Sequence, residues 1–230
     1  MCGRFELITP AEVLRRAFGF VERPNLAPRY NIAPTQEVAV LRQRREPAGE
    51  CTLQNLRWGL VPAGAKDRKF AASLINARAE TLLEKPSFAS AFRRRRCLVP
   101  ADGFYEWAGE GEAKQPYLVS RRDGVVFAVA GLWERWAPPD GSAAPSDSFT
   151  IVTTAANALL RLLHPRMPVI LDPADYARWL DPDGVAEKLQ PLLVAAPENS
   201  LRYWPVGSRV NSTRIDEPGL LEPTGPEIHA

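Results

Sequence analysis

The sequence predicts an α+β protein in which curved, mainly antiparallel sheets form a barrel-like core with short flanking helices. Three observations carry that prediction. Nine short segments are rich in branched and aromatic residues and are bounded by Pro, Gly or Asp. Proline, at 22 of 230 residues, is nearly double the usual ~5% and interrupts the chain too often for long helices. Only four stretches carry helix signals, and all are short, which excludes an all-helical bundle.

The first helix is predicted over residues 10–18. Thr9 can cap it, Pro10 suits its first position, Glu12 completes a capping box and Gly19 can end it. Residues 2–7 are left as an extended arm able to carry Cys2 into a cleft. EVAVL, TLQNLRW, CLVP, GFYEW, PYLVS, VVFAVA, FTIVTT, MPVIL and LRYWPV then read as strands. Between them fall helices at about 87–94, capped by Ser87, at 156–163, and at 173–180, capped by Asp172 with Pro173 behind it. The stretch APPDGSAAPSD, residues 137–147, reads as an exposed loop. No repeat or sharp compositional break divides the chain, so one domain is expected over residues 1–230.

Bulk properties set limits on function. A net charge of +2 gives only a weak field for nucleic acid, so any such binding must come from local arginine placement. Cys2, Cys51 and Cys97 contain no C-x-x-C pair, which argues against a zinc site and a disulfide framework. No metal and no cofactor are expected, and a reducing cytoplasm is the simplest compartment. The absence of an export signal and of any run of about 18 apolar residues predicts a soluble protein with no membrane partner.

Cys2 is the sharpest chemical feature. If Met1 is removed, this residue carries a free α-amine and a thiol on neighbouring carbons. An α-amine has a pKa of ~7.7–8.0, so roughly a tenth is free base at pH 7, against under about a thousandth of an ordinary lysine. It is suited to attack an aldehyde, giving a Schiff base. The thiol then lies two atoms from the imine nitrogen and can close a five-membered thiazolidine ring at high effective concentration. A second-position cysteine can also be an accident of sequence.

Four further residues have both bland and chemical readings. Glu106, in ADGFYEW, is either an edge-strand carboxylate or, if buried among Phe104, Tyr105 and Trp107, an acid with a raised pKa suited to proton transfer. His164 is either a helix C-terminal histidine or the imidazole of a site, since the chain's other histidine, His229, lies in a terminal tail. Asn76 and Arg78, in SLINARAE, read in isolation as a turn amide and a solvated cation. The run Arg93 to Arg96 ends a predicted helix, where positive charge is favourable, and is mainly structural.

Taken together, MCGRF, RYNIAPTQ, RWGLVP, SLINARAE, CLVPADGFYEW, KQPYLV, AGLWERW, FTIVTTAAN and LHPRMPVIL resemble the SOS response-associated peptidase family of abasic-site processing proteins. The blocks keep the family's order over residues 2 to about 211, leaving a tail from about 212 to 230. The resemblance implies the family's fold, a positively charged channel for single-stranded DNA, and thiazolidine crosslinking to the ring-opened aldehyde of an abasic site. By matching motif, Cys2 supplies amine and thiol, and Asn76 holds the N-terminus and sugar. Glu106 shuttles protons, and His164 acts on the sugar oxygen and assists slow reversal. Arg4, Arg78 and Arg166 grip flanking phosphates, and Pro34, in the APT turn, belongs to a wedge that separates stacked bases.

The expected partner is single-stranded DNA containing abasic sites, bound by a monomer with no obligate protein partner. One departure is visible: AGAKDRKF lacks a tryptophan found there in some relatives, leaving Trp58 and Trp107 as alternative aromatic surfaces. The family name also records an autopeptidase activity. Two rivals stay open at this point, an N-terminal nucleophile hydrolase and a non-catalytic single-strand binding module.

Overall fold

A computed structural model describes residues 2–44, 49–69, 71–109, 111 and 114–230. Among these the elements run β1 (Phe5–Leu7), α1 (Ala11–Phe18), β2 (Arg29–Ile32), β3 (Glu37–Gln43), β4 (Cys51–Trp58), β5 (Asn76–Arg78), α2 (Pro86–Arg94), β6 (Arg96–Ala101), β7 (Gly103–Ala108) and β8 (Gln115–Arg121). They continue through β9 (Phe127–Trp136), β10 (Ser146–Ala155), α3 (Ala158–Arg161), β11 (Arg166–Pro168), β12 (Ile170–Leu171), α4 (Tyr176–Leu180), β13 (Leu201–Pro205) and β14 (Ile228–His229).

Five strands close a barrel in the order β10–β4–β3–β6–β9 and back to β10. Only the β10–β4 pair in this ring is parallel. Against it stands an antiparallel sheet in the order β14–β13–β8–β7–β1–β2. All six residues of β6 are buried, so that strand shows no polar alternation. The α+β class with curved, mainly antiparallel sheets is thus as the sequence predicts.

The barrel and the sheet meet at Trp58. Its ring packs edge-on against Phe5 of β1, centroids 5.2 Å apart, and stacks on Phe149 of β10 at 6.2 Å. The indole Nε1 donates to the Ile75 carbonyl at 2.9 Å, which satisfies the one polar atom of a fully buried side chain. The next residue, Gly59, has φ +121°, and a Cβ there would lie 2.5 Å from the Ala71 carbonyl oxygen; only glycine fits. Trp58 therefore builds the core and offers no surface for a nucleobase, contrary to the sequence expectation.

Several local expectations are corrected. Residues 2–7 are not a free arm: Phe5–Leu7 lies inside the sheet between β2 and β7. Helix α1 starts at Ala11 with no side-chain cap. The Thr9 hydroxyl bonds Asp102 instead, a carboxylate that also accepts from the backbone N–H groups of Ile8 and Thr9, and Glu12 pairs with Arg15. Gly19 does end the helix, in the left-handed conformation at φ +70°. Helix α2 starts at Pro86, so Ser87 is not its cap. The helix expected over 156–163 shrinks to Ala158–Arg161, capped by Asn157, whose side chain accepts from Leu160 N at 2.9 Å. Asp172 caps as expected, but what it caps is a 3-10 turn, Pro173–Asp175, that leads into α4, whose own start at Tyr176 has no side-chain cap.

The arginine run is largely structural. Arg96, 2% exposed, donates to the carbonyls of Phe92, Trp179 and Asp181, and Arg95 pairs with Glu134 at 2.6 Å. Arg93 and Arg94 are exposed at the end of α2.

One buried carboxyl makes stability depend on pH. Glu6, in the middle of β1, is 4% exposed and its Oε2 has no hydrogen-bond partner among the described residues. Burial, and then the nearby Asp102, raise its pKa from 4.5 to about 8. Between those values the native state keeps a proton that the unfolded state has released, so stability falls as pH rises through that window. Thermal melts of wild type should therefore decline from pH 5 to 8. Glu6→Gln should flatten that decline and gain about 1–2 kcal/mol at pH 8; parallel pH profiles for the two proteins would contradict the assignment.

Candidate active site

Cys2 lies just ahead of β1 and is 1% exposed, in the core cluster that also holds Phe5 and Phe104. Its carbonyl accepts a 2.8 Å hydrogen bond from Asn76 Nδ2. Asn76 opens β5, which runs parallel to β10 with Asn76 opposite Ile151. The preceding carbonyl, that of Ile75, is fixed by Trp58 and by Ile151 N at 3.0 Å. The amide that holds Cys2 is thus anchored by the junction of barrel and sheet. Asn76 Oδ1 is buried and has no partner among the described residues, so one acceptor remains for a ligand.

Burial pushes the Cys2 thiol well above its usual pKa, and the Glu106 carboxylate adds to the effect; the amino-terminal charge and the Arg4 backbone N–H act in the opposite direction. The thiol is held as S–H at neutral pH. Glu106 itself is 5% exposed on β7, on the strand face that carries Phe104. Burial raises its pKa against the amino-terminal charge and the Trp107 backbone N–H. The desolvated acid that the sequence offers as one of two readings is the one present.

His164 follows α3 and precedes β11. Its Nδ1 accepts from Arg166 N at 2.9 Å and lies 3.2 Å from the Arg166 carbonyl. The shorter contact makes Nδ1 an acceptor in the neutral ring and leaves the proton on Nε2. Burial, followed by the amino-terminal charge, lowers the pKa of His164, while its contact with the Arg166 backbone raises it. The amino-terminal charge thus acts on Cys2, Glu106 and His164 alike, and Asn76 bonds Cys2 directly. Four residues from four separate stretches of chain converge on one end of the molecule.

The other expected site residues are more dispersed. Arg4 Nη1 donates to Asn31 Oδ1 and to the Val210 carbonyl, each at 2.7 Å, and its guanidinium lies 5.8 Å from the Trp107 ring centre. It packs with the smaller core cluster around Tyr105, on the face of β7 opposite Glu106. Arg166 is held by Glu80 and by the Thr153 carbonyl. Arg78 is exposed, with no hydrogen-bonded protein acceptor among the described residues. Pro34 is half-buried, followed by Thr35 at φ +73°, a conformation costly for a β-branched residue. Trp107 keeps part of its ring exposed while Nε1 donates to Asn211 Oδ1 at 2.8 Å.

No group of three or more potential metal ligands occurs among the described residues, and all three cysteines are free. No helix there is long and apolar enough to cross a membrane. Sequence reasoning missed Glu80 and Thr153, which hold Arg166; neither carries a local signal, because both act through contacts distant in the chain.

Comparisons with known proteins place the chain in a family. The family described as SOS response associated peptidase (SRAP) matches residues 1–213. The abasic site processing protein YoqW of Bacillus subtilis (strain 168) is 38% identical over 227 residues, covering 96% of this chain and 99% of its own. The abasic site processing protein HMCES of Gallus gallus is 33% identical, covering 97% and 78%. Among solved structures, a protein from Bacteroides thetaiotaomicron shares the fold with a TM-score of 0.86 at 24% identity, covering 97% of this chain and all of the other. A protein from Bordetella bronchiseptica follows with a TM-score of 0.74 at 26% identity, covering 90% and 100%. With nearly its whole length matched by the family and by relatives above 30% identity, this chain belongs to the SRAP family.

Proposed function

We propose that the protein processes abasic sites in single-stranded DNA by trapping the ring-opened sugar aldehyde on Cys2 as a thiazolidine, after Met1 is removed. The observation that carries this reading is the convergence of Asn76, Glu106 and His164 on Cys2. The names of the relatives, abasic site processing proteins, supply the substrate class.

The chemistry follows from the protonation states. Because the thiol is held as S–H, the free α-amine is the first nucleophile. It adds to the aldehyde carbon, the carbinolamine loses water to give an imine, and Sγ then adds to the imine carbon while the thiol proton passes to nitrogen. One water leaves and nothing is oxidised or reduced. Glu106, with its raised pKa, can give the proton that expels water, and its carboxylate can then take up the thiol proton released on ring closure. His164, neutral with its proton on Nε2, can act on the sugar oxygen as the ring opens. Asn76 holds the Cys2 carbonyl, orienting amine and thiol together.

A protonated, buried thiol is a poor nucleophile toward the Met1–Cys2 amide, which favours removal of Met1 by a general aminopeptidase over self-cleavage. Arg78, exposed two residues after Asn76, is a candidate for a phosphate contact, and Lys114, exposed and close enough to act on His164, is a second cation there.

Intact mass analysis of the protein, alone and after mixing with single-stranded DNA carrying one abasic site, tests the reading directly. The expected result is a chain lacking Met1 that gains the mass of the DNA less one water, in an adduct that survives heating. Amide turnover without adduct would favour the hydrolase, and a Cys2→Ala protein that crosslinks like wild type would sink the proposal. Glu106→Gln should slow crosslinking by roughly 10²-fold with little change in DNA affinity, read as single-turnover rates at saturating DNA. Arg78→Ala should leave the saturated rate intact but weaken binding and reduce the salt slope by about one phosphate contact; an unchanged slope would place the contact elsewhere.

A further inference from the structure

We propose that Asn211 is a positioning residue that, through the indole of Trp107, presents an aromatic surface to the nucleobase next to an abasic site. The identity of that ligand rests on the functional reading above. The geometry stands separately.

Trp107 follows Glu106 on β7, so the two side chains leave the strand on opposite faces. Glu106 faces the cluster around Cys2. Trp107 packs on the other side with Tyr105, ring centres 6.4 Å apart, and with the Arg4 guanidinium 5.8 Å from its centre, while part of the indole stays exposed. The outer side-chain torsion of a tryptophan is broad and two-fold, so apolar contact alone does not select one setting. A hydrogen bond to the single indole N–H does, and here Nε1 donates to Asn211 Oδ1 at 2.8 Å.

Asn211 is itself firmly carried. It closes the 3-10 turn Ser208–Asn211, whose Val210 is fully buried in the same small core cluster. The Val210 carbonyl accepts from Arg4 Nη1 at 2.7 Å and from Asn31 Nδ2 at 3.3 Å. Asn31, also fully buried, donates to the carbonyls of Ser212 and Ile215 at 3.0 and 2.7 Å. Neighbouring residues of one turn thus hold two groups, Arg4 through the Val210 carbonyl and Trp107 through the Asn211 side chain. Both bonds that the Arg4 guanidinium makes to described residues run from Nη1, which leaves Nη2 for a phosphate. Arg4 is two residues from Cys2 and Trp107 is next to Glu106, so a nucleotide with its phosphate on Arg4 and its base on the indole adjoins the sugar at Cys2. Such stacking tolerates any base, because every base has a π-face. Asn211 is exposed, and a neutral hydrogen bond in water adds little to folding, so stability alone does not account for it.

The test uses Asn211→Ala in the full chain and single-stranded DNA with a tetrahydrofuran in place of the abasic sugar, which binds without offering an aldehyde. The chain has six tryptophans, and Trp107→Phe identifies the Trp107 signal among the indole N–H resonances. Asn211→Ala should shift that signal and speed its exchange with water. It should bind this DNA about three- to tenfold more weakly, with the salt slope of wild type, since stacking releases no counterions. The concentration of true abasic DNA that half-saturates crosslinking should rise by the same factor. Removing the base on one side of the tetrahydrofuran should weaken wild type by that factor and Asn211→Ala no further. In a Trp107→Phe background, Asn211→Ala should not change binding. An unshifted indole signal would overturn the proposal, as would a shifted signal with unchanged affinity or a loss confined to the saturated rate. A penalty that survives both Trp107→Phe and removal of the neighbouring bases would also overturn it, by giving Asn211 a DNA contact of its own. If wild type forms no adduct with abasic DNA, the functional reading falls, and tetrahydrofuran DNA and the indole spectra still decide for or against Asn211.

Discussion

The packing of Trp58 between Phe5 and Phe149 is the contact on which the rest of the molecule depends. It joins a sheet to a barrel, and its one polar atom takes hold of the segment that leads into Asn76. Removing a fully buried indole leaves a cavity that its neighbours cannot collapse into. Here the cavity would open between the strand that follows Cys2 and the strand that carries Asn76. The hydrophobic core and the chemistry are therefore built from the same contact, and neither can be relaxed without disturbing the other.

That arrangement explains how a small cluster of groups can hold the protonation states that aldehyde trapping needs. Low-dielectric surroundings favour neutral forms, and all three titratable side chains of the cluster are shifted by burial in that direction: the thiol and the carboxyl upward, the imidazole downward. Under the proposed mechanism the terminal amine, with its ordinary pKa of about 8, is the partner that supplies the first free electron pair. The division of labour follows from where the chain places each group.

Much of this was legible in the sequence, and the failures are instructive. Strand segments were readable from branched and aromatic runs bounded by Pro, Gly or Asp, although burial on both faces removes the two-residue alternation from β6, β9 and most of β10. Caps were less legible: Thr9 has the right chemistry for a helix start, but Asp102 claims its hydroxyl, and only the fold brings those residues together. In the same way Cys2, Glu106 and His164 announce themselves by residue type, whereas their burial is a property of the assembled sheet and barrel. Arg4 and Arg166 look like free cations in a linear reading. Both are committed to acceptors far away in the chain, Val210 in one case and Glu80 in the other.

The near-complete burial of Cys2 has a consequence beyond proton transfer. Peroxide and related oxidants attack the thiolate and need access to sulfur, and a protonated, shielded thiol offers neither. A sulfur held in this way is kept reduced for as long as the site stands empty. Shelf life, as much as reactivity, is written into that position.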